Sequence, residues 1–293
     1  MEFIWQTFVA TLPGIRSYFA AIAVFFIAER LFPAEKNQSI RDQFFNARYT
    51  LLFLILTPFV VLWPVSLAAK FASVTGGSRF TIDLQSWSAS LTPTAWPIKS
   101  FVLPFIPMLV FDFFYYWHHR LQHEVPALWE QHKLHHMDET LSCLTNLRHH
   151  WLEEGIRVFT ITIPMTFLIG LTPVQGVLVS SAIAQWAVFI HANLRIPLGP
   201  LTPVFAGPQL HRIHHSRELK HTNKNYAAFF PIWDILFRTY HRPASQEWPA
   251  TGVHSGENVH DLWSASVLPF RGWFKMTSHI FRHRSHDVVA KTK

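Results

Sequence analysis

Three groups of histidines stand out in this chain: His119-x-x-x-His123, His132-x-x-His135-His136 and His211-x-x-His214-His215. On a helix, residues three and four apart share a face, so each group is expected to aim its imidazoles at one point. A neutral imidazole is the commonest protein metal ligand. The eight imidazoles exceed the four ligands of a closed zinc site or the six of an octahedral ion. The simplest use for them is a two-metal centre. His191, at the end of an apolar run and followed by Ala192-Asn193, is expected as a further ligand, because ionisable groups at membrane depth are usually functional. His150 is read as either a ligand, a donor around the metals or a substrate-site residue. His149 is expected to be structural and His118 interfacial. Metal-bound imidazoles usually donate their second N–H to a carboxylate or carbonyl. Asp138 and Glu139 follow His136 directly and suit that role, and Asn193 is grouped with them as a supporting residue. No HExxH, GxSxG, Walker or dinucleotide motif is present, so no separate catalytic acid or base is assigned. The scattered His241, His254, His260, His279, His283 and His286 are expected to be solvated.

The elements that must position these residues look like membrane helices. The chain has 293 residues, 49% hydrophobic and 15% charged, with 27 Phe and 12 Trp; an ordinary soluble domain has about 25% charged residues. A membrane helix needs roughly 20 mostly apolar residues. Candidates are Ser17–Phe32, Thr50–Phe71 (with Pro58 and Pro64 as expected kinks), Ile98–Trp117, Ile156–Gly170 and Val174–His191. The last two form a hairpin about Leu171-Thr172-Pro173, spanning or re-entrant. The expected fold is therefore an all-α integral membrane protein of four to five spans with a helical cap holding the metals. The third run is expected to continue out of the membrane as a helix carrying His119 and His123, with Glu124-Val125-Pro126 breaking it. The organisation reads as 1–117 (membrane helices), 118–155 (first two histidine groups), 156–193 (hairpin), 194–245 (third group) and 246–293 (a basic tail). Between residues 75 and 97 the only base is Arg79, whereas bases abound after 118. By the positive-inside rule the histidine groups and the C-terminus face the cytoplasm. The start does not read as a cleaved signal peptide. The net charge of +7 fits that bias, or else an anionic lipid surface or an acidic electron donor. No motif suggests nucleic-acid binding. The single Cys143 excludes internal disulfides and cysteine-ligated clusters, so electrons are expected from outside.

The pattern resembles the fatty acid hydroxylase / sterol desaturase superfamily of membrane non-haem di-iron enzymes, with the box spacing of the alkylglycerol monooxygenase branch. Glu29-Arg30-Leu31-Phe32-Pro33, the stretch from Asp112 through Tyr116-Trp117-His118-His119-Arg120 to His123, and the late Asn225-Tyr226, Trp233-Asp234 and Thr239-Tyr240 carry the resemblance beyond the histidines, over about residues 20–240. Ala227 and Arg238 stand where the family commonly has Gly, and Trp151 where many members have Pro. The resemblance implies two iron ions, replaceable by zinc on overexpression. It also implies dioxygen-dependent hydroxylation or desaturation of a sterol, fatty acyl or ether lipid. No cytochrome b5 segment is read in the chain, so a ferredoxin- or cytochrome-type donor is implied as a separate partner. Two other readings use the same histidines. A zinc-dependent membrane hydrolase would need a general base beside a metal-bound water, and a metal transport or storage protein would need polar residues along the spans.

Overall fold

The computed structural model describes residues 2–75, 83–169 and 173–290. Arg79 and most of the expected hairpin turn lie outside them. The chain is helical, and the described residues contain two isolated β-bridges, Pro33 with Leu194 and Ser216 with Thr251, but no named strand. The helices are α1 (Glu2–Leu31), α2 (Ile40–Thr75), α3 (Leu84–Ser90), α4 (Phe105–Glu124), α5 (Pro126–His136), α6 (Trp151–Arg157), α7 (Ile163–Leu168), α8 (Pro173–His191), α9 (Pro208–His214), α10 (Ile232–Leu236) and α11 (Leu262–Ala290).

Local chemistry sets the boundaries near the site. The residue before a proline avoids the helical region; Val125, at φ −98° and ψ 112°, therefore ends α4, and Pro126 starts α5 with its missing N–H cost-free at the first turn. Gly207 and Pro208 open α9 in the same way. By contrast, α2 runs through both Pro58 and Pro64 without ending.

Among the described residues, two helical stretches are long and apolar enough to cross a membrane, Ile40–Ala68 and Ile98–Glu124. The core helix of a soluble protein would be mostly covered, yet only 11% and 18% of their most apolar windows are buried. Leu51, Ile55, Phe59, Leu62 and Trp63 of α2 all lie open, an apolar patch of the kind that lipid covers. The expected fourth run is interrupted by a π-helical turn at Val158–Thr162 and ends with α7 at Leu168. The expected fifth contributes a shorter apolar helix, Val179–His191. By length and composition, two of the four to five expected runs thus stand as candidate spans among the described residues.

Around the site, α1 packs along α8, with Phe25 against Phe189 at 5.6 Å between ring centroids. Glu29, buried, accepts the backbone N–H groups of Cys143 and Asn193. It thereby joins the end of α1 to both the loop after α5 and the loop after α8. A second core forms where Phe45, Tyr49 and Phe53 of α2 meet Leu134 of α5 and Ala265 of α11. Within it Arg148, completely buried, donates to Leu134 O, Asn46 Oδ1, Asn258 Oδ1 and Val259 O.

Candidate metal centre

The helices bring nine histidines together as two adjoining groups. His119 and His123 from α4, His132 and His136 from α5 and His214 from α9 have ring nitrogens within 4.8 Å of one another. His135 of α5, His191 at the end of α8, and His211 and His215 of the third box form the second group, within the same limit. These are the eight box histidines and His191. The boxes do not each aim at one point, however. In both HxxHH boxes the i and i+4 residues serve one group and the i+3 residue crosses to the other. At 3.6 residues per turn, adjacent positions diverge by about 100°. His135 and His136 cannot share a target, nor can His214 and His215. Each HxxHH box therefore bridges the two groups, whereas His119 and His123 both stay in the first, and His136 stacks on His215 across the groups at 4.3 Å and 16°.

Several rings have their tautomer fixed by the backbone. A carbonyl oxygen can only accept, so His119 Nδ1–H donates to Tyr226 O (2.7 Å), His191 Nδ1–H to Ala187 O (2.7 Å) and His214 Nδ1–H to Lys224 O (2.8 Å). In a neutral imidazole the other nitrogen is then a bare lone pair. Those Nε2 atoms point inward: His119 Nε2 lies 3.0 Å from His132 Nε2, and His191 Nε2 lies 3.0 Å from His135 Nε2 and 2.9 Å from His211 Nε2. Burial holds His135, His136, His211 and His215 well below the usual imidazole range and His214 down at about 3, so they are neutral and ready to ligate. The Nε2 atoms of His123, His136 and His214 are buried without a hydrogen-bond partner. An orphaned buried polar atom costs about 1–3 kcal/mol, and lone pairs converging on one point call for a cation. The donor sets fit two metal ions with imidazole preference.

Other expected residues fall elsewhere. His150 stays outside both groups; its Nδ1 accepts from Leu152 N at the start of α6 and its Nε2 bonds Ser266 O at 2.9 Å. Asp138 does not reach a histidine: its oxygens accept from Asn46, Thr140 and Thr145. The side chain of Glu139 is exposed. Asn193 braces the chain after α1 through Glu35 N and Glu35 O. The carboxylate that meets a box histidine is Glu153, 3.4 Å from His132 Nδ1 and 3.0 Å from His149 Nδ1. Burial alone would raise its carboxyl, but His149 and His132 hold it well below the usual range. His149 itself stacks on His135 at 3.9 Å and 18°, so it supports the second group. Only the four-residue spacing of His149 and Glu153 hinted at the pair, since His149 lies ahead of the first residue of α6, Trp151. His118 turns away to Thr160 Oγ1 at 2.8 Å.

Two buried aspartates hold the acceptors in place. Asp112 accepts the N–H groups of Ala228, Phe229 and Phe230, which binds that loop to α4. Asp234 accepts those of Tyr226 and Ala227 (both 2.8 Å) and so sets the Tyr226 carbonyl against His119. Beside the histidines lies a cavity of about 340 Å³ lined by Phe111, Tyr115, Ile183 and Ile190, with His149, Glu153 and His191 at its wall and the Glu154–Arg157 pair also lining it. An apolar groove of about 900 Å³ lies between α1 and α8, lined by Ala21, Phe25, Trp186 and Phe189.

Residues 104–239, which hold all three boxes, match the fatty acid hydroxylase family. The segment that carries the histidines belongs to the fatty acid hydroxylase superfamily. Among the chain's relatives is the ornithine lipid hydroxylase of Rhizobium tropici, 29% identical over 80% of this chain and 70% of that protein. The alkylglycerol monooxygenase of Homo sapiens is 35% identical over 44% of this chain and 28% of its own length. A cholesterol 25-hydroxylase-like protein of Danio rerio is 31% identical over 46% of this chain and 53% of that one. The chain thus spans most of the first relative and about a quarter to a half of the other two. No solved structure matches it.

The departures from the family pattern now have a physical reading. Arg238 has φ 63°, the left-handed region where glycine is usual, and its side chain is exposed. A left-handed L-residue costs roughly 1–2 kcal/mol, against which glycine loses about 0.5–1 kcal/mol of extra chain entropy. Arg238→Gly should therefore raise stability by up to about 1 kcal/mol, seen as a higher thermal midpoint in detergent; a lower midpoint would show that the guanidinium matters more than the backbone. Ala227 is not among the residues with positive φ, so alanine fits there without strain.

Proposed function

We propose that this protein is a membrane-bound monooxygenase that hydroxylates a lipid at a pair of iron ions held by the nine histidines. The single observation that carries the reading is the convergence of those nitrogens as two neutral groups beside a cavity. The irons, when bound, supply activation of dioxygen. The chain's own residues do the rest. Tyr226 O, Ala187 O and Lys224 O keep His119, His191 and His214 oriented. Phe111, Ile183 and Ile190 line the cavity with apolar surface that excludes water. The groove between α1 and α8 offers an acyl or sterol body a route along the exposed membrane-facing helices. The balance is R–H + O₂ + 2 e⁻ + 2 H⁺ → R–OH + H₂O, with the electrons from a separate ferredoxin- or cytochrome-type protein. The names of the relatives, two hydroxylases and a monooxygenase, favour oxygen insertion over desaturation. We place the histidine groups on the cytoplasmic side, from the distribution of basic residues.

The alternatives find less support. A hydrolase needs a free carboxylate base, and both oxygens of Glu153 are taken by histidines. A transporter needs polar groups along its spans, and α2 presents Leu51, Ile55, Phe59 and Leu62. Purified protein, lipid extract, a reductase system and isotopic oxygen test the proposal. Label is expected in the lipid. Label only in water with oxygen consumed would indicate desaturation, and turnover unchanged without oxygen would exclude both.

A further inference from the structure

Among the described residues, a further cluster that shares no residue with the two histidine groups has the chemistry of a cation site. His221 and His241 both turn Nε2 toward Glu247, at 3.0 Å from Oε1 and 3.1 Å from Oε2 respectively. The three ligand atoms lie within 4.8 Å of one another. None of these residues belongs to a box or to the nine histidines. The cluster is built rather than incidental. The His221 side chain is fully buried, and its Nδ1 is held by Ser216 Oγ at 2.8 Å, the kind of outer contact that orients a ligating imidazole. His241 is fixed through its backbone, its N–H donating to Asn225 Oδ1 (2.8 Å) and its carbonyl accepting from Asn225 Nδ2 (3.2 Å). Glu247 is positioned by Ala244 N at 3.0 Å. Lys220 Nζ lies 3.2 Å from Glu247 Oε1 but is 59% exposed, so it is free to swing into solvent when a cation takes that oxygen.

We propose that His221, His241 and Glu247 form a third cation site, separate from the two-metal centre, that takes a divalent ion of the zinc class. Two imidazoles and one carboxylate suit zinc, which uses nitrogen and oxygen donors at coordination number four and leaves one position for water. Magnesium and calcium demand more oxygen ligands than the cluster offers. The site has a structural task. It ties the segment 241–247 to the segment 216–221, and that second segment leads into Lys224 and Tyr226, whose carbonyls hold His214 and His119. A cation there braces the acceptors from outside the centre.

The test uses the full-length protein in detergent, loaded with zinc sulfate, desalted and counted by mass spectrometry. His241→Gln retains an N–H that reaches Glu247 but removes the imidazole ligand, so it separates a cation site from a plain hydrogen-bond network. The expected result is one zinc fewer per chain in His241→Gln than in the wild type, with unchanged gel-filtration behaviour, and the same loss in Glu247→Gln. Equal counts in wild type and His241→Gln overturn the proposal. Should Glu247→Gln fail to fold, the His241→Gln comparison decides alone. The outcome is independent of the two-metal reading: three ions against two supports both, two against two removes only the third site, and one against none removes only the two-metal centre.

Discussion

His214→Ala and His135→Ala are each expected to abolish lipid oxidation, by on the order of 100-fold or more, while the protein still inserts and runs as a folded species. The floor of that estimate is what loss of a mere outer-layer partner costs a metal site; loss of a ligand costs more. The two variants probe the two groups separately. His214 contributes to the five-histidine group, where its ring centroid lies 4.4 Å from that of His119 and 4.7 Å from that of His136. Its Nδ1–H is spent on Lys224 O, so its Nε2 lone pair has no other use. His135 lies in the four-histidine group, its Nε2 3.0 Å from that of His191. Neither side chain carries the fold, because the apolar contacts along α1, α2, α4 and α8 are untouched. Metal content and isotopic-oxygen turnover are the measurements, with two irons per chain expected in the parent protein after metal reconstitution. Near-normal turnover in either variant would remove that residue from the site. One metal or none in folded, loaded parent protein would remove the two-metal centre, apart from any ion lost with His241→Gln.

Arg148→Ala should cost about 3–5 kcal/mol, the usual penalty for deleting one member of a buried charged network. This is a large share of the 5–15 kcal/mol by which domains are stable. The guanidinium is fully buried and donates to four acceptors spread over α2, α5 and the chain before α11. Its charge faces Asp138 at 3.8 Å and its plane lies over Phe45 at 4.8 Å. Alanine leaves Asp138 as an uncompensated buried carboxylate and four acceptors short of a donor. Arg148→Lys should rescue little, because one ammonium cannot reproduce the planar fork. A thermal melt followed by tryptophan fluorescence in detergent checks this. A midpoint within a degree of the parent would mean that the network is dispensable. Because α5 carries three of the nine histidines, His132, His135 and His136, within about a turn and a half, weakened metal retention should accompany the loss of stability.

The helical class, the break at Val125-Pro126, the eight box histidines, His191 and the family were legible in the sequence by itself, because each rests on local information. Periodicity and proline chemistry act over a few residues, and an HxxHH box retains its ligand types wherever the chain carries it. Three things were decided only by the tertiary structure. The division of the histidines into five and four depends on how α4, α5, α8 and α9 are rotated about their axes; the box spacing shows that i+3 and i+4 diverge, but not which partner each one meets. The exchange of Asp138 and Glu139 for Glu153 has the same origin. Asp138 lies next to a box in sequence, yet its oxygens were claimed by Asn46 on α2, 92 residues away, whereas Glu153 reached His132 because α6 packs beside α5. The cluster of His221, His241 and Glu247 had no spacing motif at all. It exists because loops after α9 and α10 are drawn together by Asn225 and Gln209, and a meeting of that kind is set by long-range packing rather than by any pattern along the chain.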